Sequence, residues 1–240
     1  AVRRSYDKLA MRGMLHLVSA WSVDNRLVLA QQAVDEKSNE ITALPELLKA
    51  LQLQGAIVTI DAMGCQKEVA AQIVKQGGDY ILALKGNHPK LCDAVQQHFE
   101  NLHRENRFTK TQHRKTTDNA HGRVEERHYY QVPVPPELAW IGEEWAGCRT
   151  LGQSISYVLR DGKETDQVRY YLSTLSVDVQ MGLPRVAAVA NAAERDSGGN
   201  RVAFMNGHRA SLQMPQEHPS AAAVEHDVVA SHVRTVRLWR

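Results

Sequence analysis

The sequence predicts an α/β fold in which helices pack on a mixed sheet. Two short apolar runs, residues 56–60 and 80–84, read as strands buried on both faces. The residues between them, 66–76, read as a helix with Val69, Ile73 and Val74 on one side. A strand, helix, strand order of this length places the two strands parallel through a right-handed crossover. The chain has 240 residues, 43% of them hydrophobic, enough to bury one sizeable core or two small ones.

Residues 14–21 and 27–34 are β-prone and flank the turn-forming Val23-Asp24-Asn25-Arg26, so they form a hairpin. Ser38-Asn39-Glu40 offers a helix start, and Ile41, Leu44, Leu47, Leu48 and Leu51 recur at helical spacing. Pro45 is tolerated there if that helix begins near Ala43. The strand 56–60 stops at Asp61, Gly64 allows a tight turn, and Gly77-Gly78 ends the next helix. Strand 80–84 runs into Lys85-Gly86-Asn87-His88-Pro89. Leu91, Val95, His98, Phe99 and Leu102 then mark an amphipathic helix. The order is hairpin, helix, strand, helix, strand, helix.

The character changes near Glu105. Residues 107–127 are polar and rich in Lys, Arg, His and Thr, with little periodicity. Residues 124–134 read as a strand ended by prolines, and 154–160 with 167–175 as a second hairpin turning at Asp161-Gly162. Residues 105–183 are therefore expected to form a mostly β insertion or continuation of the first unit, 1–104. From residue 184 to 240 the chain carries seven arginines but no Lys, Ile or Tyr, although ten lysines precede it. That tail is expected to be disordered or loosely helical, since Ala and Val without a period bury too little surface to offset ordering entropy. Such a switch also suits a change of coding frame.

Net charge is +2, compatible with nucleic acid without requiring it. The three cysteines, Cys65, Cys92 and Cys148, show no metal-ligand spacing, and an odd count suits a reducing, cytoplasmic setting. No apolar run approaches the roughly 20 residues of a membrane span. The chain opens at Ala1 rather than Met and is expected to be a piece of something longer.

Asp61 is the first candidate functional residue. A carboxylate at the carboxyl end of a buried strand sits where α/β proteins bind ligands and metals, although Asp also commonly caps a following helix. Cys65 lacks a general base at recognisable spacing, so a small packed residue is the better reading. His16 suits a core position. Trp21, Trp140, Trp145 and Trp239 define no stacking array.

Four motifs carry a family resemblance. They are Asp35-Glu36-Lys37-Ser38-Asn39-Glu40-Ile41, Val58-Thr59-Ile60-Asp61-Ala62-Met63-Gly64-Cys65-Gln66, Gly78-Asp79-Tyr80-Ile81-Leu82-Ala83-Leu84-Lys85-Gly86-Asn87 and His121-Gly122-Arg123-Val124-Glu125-Glu126-Arg127. Over residues 1–183 the chain resembles the H-repeat-associated proteins, insertion-sequence transposases with a DDE catalytic core. The resemblance implies a ribonuclease-H-like fold in which three carboxylates hold two Mg²⁺ or Mn²⁺ ions for in-line attack on a phosphodiester. Asp61 matches the second of these acids and is thus the implied catalytic and metal-binding residue.

The first acid would precede Ala1, which would leave the sheet without its first strand and with an open edge. The third belongs to a Trp- and His-rich helix after Leu183-Pro184-Arg185 that has no counterpart here. Glu194 lies at the right distance but its neighbours do not match, so it is not assigned. The resemblance also implies phosphate contacts by Lys85, His121, Arg123 and Arg127, against the plainer reading of solvated charges. Glu125 reads as the start of the β stretch rather than an acid on a catalytic helix. The expectation is a transposase-like protein that meets double-stranded DNA at element ends, open to self-association, with strand cleavage lost. The alternatives are a non-catalytic DNA-binding module and an unfolded pseudogene product.

Overall fold

A computed structural model describes residues 16–22, 27–34, 40–60, 62–109, 112–120, 123–160, 162–177, 202–206 and 237–238. The strands are β1 (His16–Ser22), β2 (Leu27–Val34), β3 (Ala56–Ile60), β4 (Asp79–Leu84), β5 (His113–Ala120), β6 (Arg123–Pro133), β7 (Thr150–Arg160), β8 (Lys163–Ser173), β9 (Val202–Asn206) and β10 (Arg237–Leu238). The helices are α1 (Glu40–Lys49), α2 (Lys67–Lys75), α3 (Pro89–Arg104) and α4 (Trp140–Glu144). The predicted order of hairpin, helix, strand, helix, strand, helix is present, and the molecule is a mixed α/β structure consistent with a ribonuclease-H-like fold.

The strands join one sheet in the order β2-β1-β10-β9-β3-β4-β8-β7-β6-β5. β3 and β4 are parallel, with Ile57 opposite Asp79 and Ile60 opposite Leu82, as the crossover through α2 requires. Alternation along them sends Val58, Ile60, Tyr80, Leu82 and Leu84 into the main core with Leu44, Leu47, Leu48, Val69, Ile73, Val95 and Phe99 from the helices. Ile57 and Ile81 face the other way and meet Tyr171 of β8.

α2 ends as the glycine pair predicts. Gly77 has φ +74°, its N–H bonds the Val74 carbonyl at 2.9 Å, and the Gly78 N–H bonds the Ile73 carbonyl at 3.0 Å. This is a Schellman closure, which a side chain at Gly77 would strain. Gly64 serves a different need: a Cβ there would fall 2.8 Å from Leu44 Cδ1 and closer still to Ile60. The turn after β3 thus lies flat on α1 because residue 64 has no side chain.

Three expectations need correction. α1 begins at Glu40, so Pro45 lies inside the helix rather than in its first turn. Burial of Ala43, Leu44, Leu47 and Leu48 holds the helix despite the donor that Pro45 lacks. Within the mostly β stretch, residues 113–120, read only as polar and without period, are a strand, β5, paired with β6 from His113–Tyr130 to Ala120–Arg123. Its charges pair across strands, which hydropathy alternation does not reveal.

The third correction concerns the tail and the edge of β3. The expectation for 184–240 lies outside the described residues except at 202–206 and 237–238. Residues 202–206 are a strand, antiparallel to β3 from Ala56–Asn206 to Ile60–Val202. The edge expected to be open is thereby paired. β9 also touches β1 at Ser22–Phe204 and β10 at Arg237–Ala203. The reason lies in β3, an apolar strand buried at every position, whose unpaired backbone groups would otherwise lie at a sheet edge.

Candidate nucleic-acid interface at the carboxyl ends of β3 and β4

β3 and β4 end side by side, and the turns that follow them form one surface. After β3 comes a 3-10 turn, Ala62–Gly64; after β4 come Lys85, Gly86, Asn87 and His88 leading into α3. Two side chains bind these turns together. The Asn87 Nδ2 amide donates to the Ala62 carbonyl at 2.7 Å. His88 Nε2 lies 2.7 Å from the Cys65 carbonyl, an acceptor, so that nitrogen carries the proton. The His88 ring in turn stands edge-on to Trp145, with centroids 5.2 Å apart at 86°.

Beside this junction lies a cavity of about 490 Å³ whose lining includes Lys67, His88, Lys90, Leu91, Trp140 and Trp145. Lys67 at the start of α2 closes one side through an ion pair of 2.7 Å with Glu144 of α4. No local signal shows that Trp140 and Trp145 share a cavity with His88, because Trp140 lies 52 positions after His88 along the chain. Only the fold brings α4 against the entry of α3.

The predicted site residues fall in different places. Asp61 lies outside the described residues, between the end of β3 and the 3-10 turn; His121 also lies outside them. Lys85 is exposed directly after β4. Arg123 opens β6, at the turn of the β5–β6 hairpin. Arg127 is buried and ion-paired with Glu125, each side chain 7% exposed. Both sit on a strand, so Glu125 is not on a helix and Arg127 is not a free surface charge. Cys65 is fully buried, in keeping with a packing role, and His16 belongs to β1.

Among the described residues, no group of three or more His, Cys, Asp or Glu side chains could hold a metal ion. Also among the described residues, no helix is long and apolar enough to cross a membrane.

Residues 2–179 match the family described as Transposase DDE domain. The chain is 40% identical over 183 residues to the "H repeat-associated putative transposase YhhI" of Escherichia coli (strain K12), covering 75% of this chain and 48% of that protein. It is 40% identical over 186 residues to the "Putative transposase YncI" of Escherichia coli O157:H7, covering 75% and 46%. It is 45% identical over 136 residues to the "H repeat-associated putative transposase YbfD" of Escherichia coli (strain K12), covering 57% and 53%. The chain thus spans about half the length of the curated relatives it matches. No solved structure matches it. With the family covering most of the chain and the strand ends arranged as described, this protein belongs to the insertion-sequence transposases with a DDE domain.

Proposed function

We propose that this chain is a DNA-holding transposase homologue that does not itself cleave DNA. The observation that carries this reading is the pinned junction at the ends of β3 and β4. It sets the exposed Lys85 on one turn and the chain neighbours of Asp61 on the other, joined by Asn87 and His88. A cation fixed there can hold a backbone phosphate of double-stranded DNA, its partner in this reading. In this reading Arg123, the first residue of β6, adds a further phosphate contact, as does His121, which lies outside the described residues. Arg127 joins it only if its pair with Glu125 opens.

In this reading Asp61 is the one metal-binding acid of the family that the chain matches. Intact relatives would complete it with two more carboxylates around Mg²⁺ or Mn²⁺, which would activate the attacking oxygen. Without them the chain binds and does not cut. Self-association and a cytoplasmic location follow as part of the same proposal. The alternative of an unfolded product fits poorly with a continuous core fed by all four helices.

Anisotropy of a labelled duplex at low and high salt tests the binding, and a nicking assay with Mg²⁺ tests the missing chemistry. Binding should weaken steeply with salt, and Lys85→Ala should lower the salt slope by about one. Salt-independent affinity overturns the binding claim, and Mg²⁺-dependent nicking overturns the loss of cleavage.

A further inference from the structure

The β5–β6 hairpin holds a chain of titratable side chains separate from the junction described above. Lys115 Nζ lies 2.6 Å from Glu126 Oε2, and Glu126 Oε1 lies 2.7 Å from His128 Nε2. His128 Nδ1 then lies 3.0 Å from His113 Nε2, with the two rings within 9° of parallel. Tyr130 stacks on His113 with centroids 4.6 Å apart at 16°, which fixes that ring's plane. His113 and His128 are diagonal neighbours across the hairpin, since His113 is opposite Tyr130 and Lys115 opposite His128.

The order of protons follows from the first member. Lys115 and His128 hold the Glu126 carboxyl below the usual range, so it is an acceptor and His128 Nε2 must donate to it. His128 Nδ1 is then left with a lone pair aimed at His113 Nε2. A carboxylate fixing one imidazole nitrogen so that the other presents its lone pair is the arrangement that orients histidines on metals.

We propose that His113 Nε2 and His128 Nδ1 form a two-imidazole site for a borderline transition-metal cation of the Zn²⁺, Ni²⁺ or Cu²⁺ class. Zn–N bonds of about 2.0–2.1 Å in a tetrahedral shell place two nitrogens about 3.3 Å apart, a few tenths of an ångström beyond the observed separation. The His113 ring must move its Nε2 proton to its own Nδ1. The two rings, which now face each other nearly edge to edge, must swing so that both lone pairs converge on one ion. Water supplies the remaining ligands, and Glu126 tunes His128 from behind. Imidazole donors favour these ions and exclude Mg²⁺, which prefers oxygen. Lys115 and His103 are the nearby groups that oppose the added charge. Side-chain exposure of 19% for His128 and 36% for Glu126 leaves the pair open to solvent. A bound ion would clamp β5 to β6 at the end of the hairpin away from Arg123.

Calorimetric titration of the full chain with ZnCl₂, and with NiCl₂, tests the site. One equivalent should bind in a large excess of Mg²⁺. His113→Gln and His128→Gln should each abolish that equivalent, and Glu126→Gln should weaken it by about 10–100-fold. Copper(II) bound to the unmodified chain should show coupling to two nitrogens in its electron paramagnetic resonance spectrum, a readout independent of whether the variants fold. An unchanged isotherm in both histidine variants, or a copper spectrum without nitrogen coupling, overturns the proposal.

Discussion

The Asn87 amide reaches across from the turn after β4 to the Ala62 carbonyl in the turn after β3, 2.7 Å away. Nothing in the parallel pairing of β3 and β4 fixes the two turns relative to each other beyond the last register pair, Ile60 with Leu82. Asn87 and His88 supply that constraint, and Lys85 and the neighbours of Asp61 inherit it. In the proposed function these two bonds decide how accurately a phosphate is held.

Asn87→Ala should therefore affect binding more than stability. The bond is exposed, so its loss should remove about 0.5–1.5 kcal/mol of stability. That is a shift of a few degrees in thermal midpoint for a chain of this size. Duplex affinity should fall several-fold in anisotropy while the salt slope stays near that of the parent, since no charge is lost. A slope change matching that of Lys85→Ala would mean that Asn87 positions nothing.

Arg127 should behave in the opposite way. Its guanidinium pairs with Glu125 where both are buried, so removing it takes a countercharge from a buried carboxylate. Arg127→Met should lower stability by about 3–5 kcal/mol, read as an earlier thermal or urea transition. The double variant Glu125→Leu/Arg127→Met should recover most of that loss, because it removes the buried carboxylate along with its countercharge. Equal losses in the single and double variants would show that the pair itself is not the source.

Two histidines give the pH dependence a definite sign. Burial holds the side chains of His98 and His113 below the ordinary histidine range, and for His113 the neighbouring His128 adds to it. For His98 the pull of Glu137, 3.5 Å away, opposes burial but does not overcome it. A histidine with a lowered folded pKa binds fewer protons folded than unfolded, so stability falls as pH drops through and below about 6.5. With chelator present, the melting temperature should be lower at pH 5.5 than at pH 7.5. His113→Gln and His98→Gln should each flatten that slope. A melting temperature that rises on acidification would contradict the assignment.

What could be read from the chain follows from where burial leaves a mark. β3, β4 and α2 were legible because their residues are apolar on both faces or on one helical side, and Gly77-Gly78 marks the stop chemically. Residues 124–134 read as a strand, which is β6, but β5 does not, because His113–Ala120 is polar on both faces. No hydropathy period survives such an arrangement. The Glu126–His128–His113 chain depends on cross-strand register, and the cavity of Trp140 and Trp145 on the docking of α4; neither has a local signature. Asp61 is the reverse case, singled out by its place after an apolar strand and by its motif while lying outside the described residues.

Among the described residues, β9 carries the backbone pairing that joins the β1–β2 hairpin to β3. It pairs with β3 over five residues and with β1 at Phe204, and both β9 and β10 lie beyond the family match at residues 2–179. Composition pointed to disorder there, but a short Val-Ala-Phe-Met segment needs little intrinsic preference when a buried strand offers it a full ladder. Phe204 has strands on both sides, so its N–H serves one neighbour or the other, and proline there removes a central donor. Phe204→Pro should lower the melting temperature by several degrees. Ending the chain at residue 179 should uncover the whole edge of β3 and produce oligomers in size-exclusion chromatography, because an apolar strand with unpaired backbone groups recruits another. If both variants melt and elute like the parent, β9 contributes nothing to the fold, and the hairpin must be held to β3 by other means.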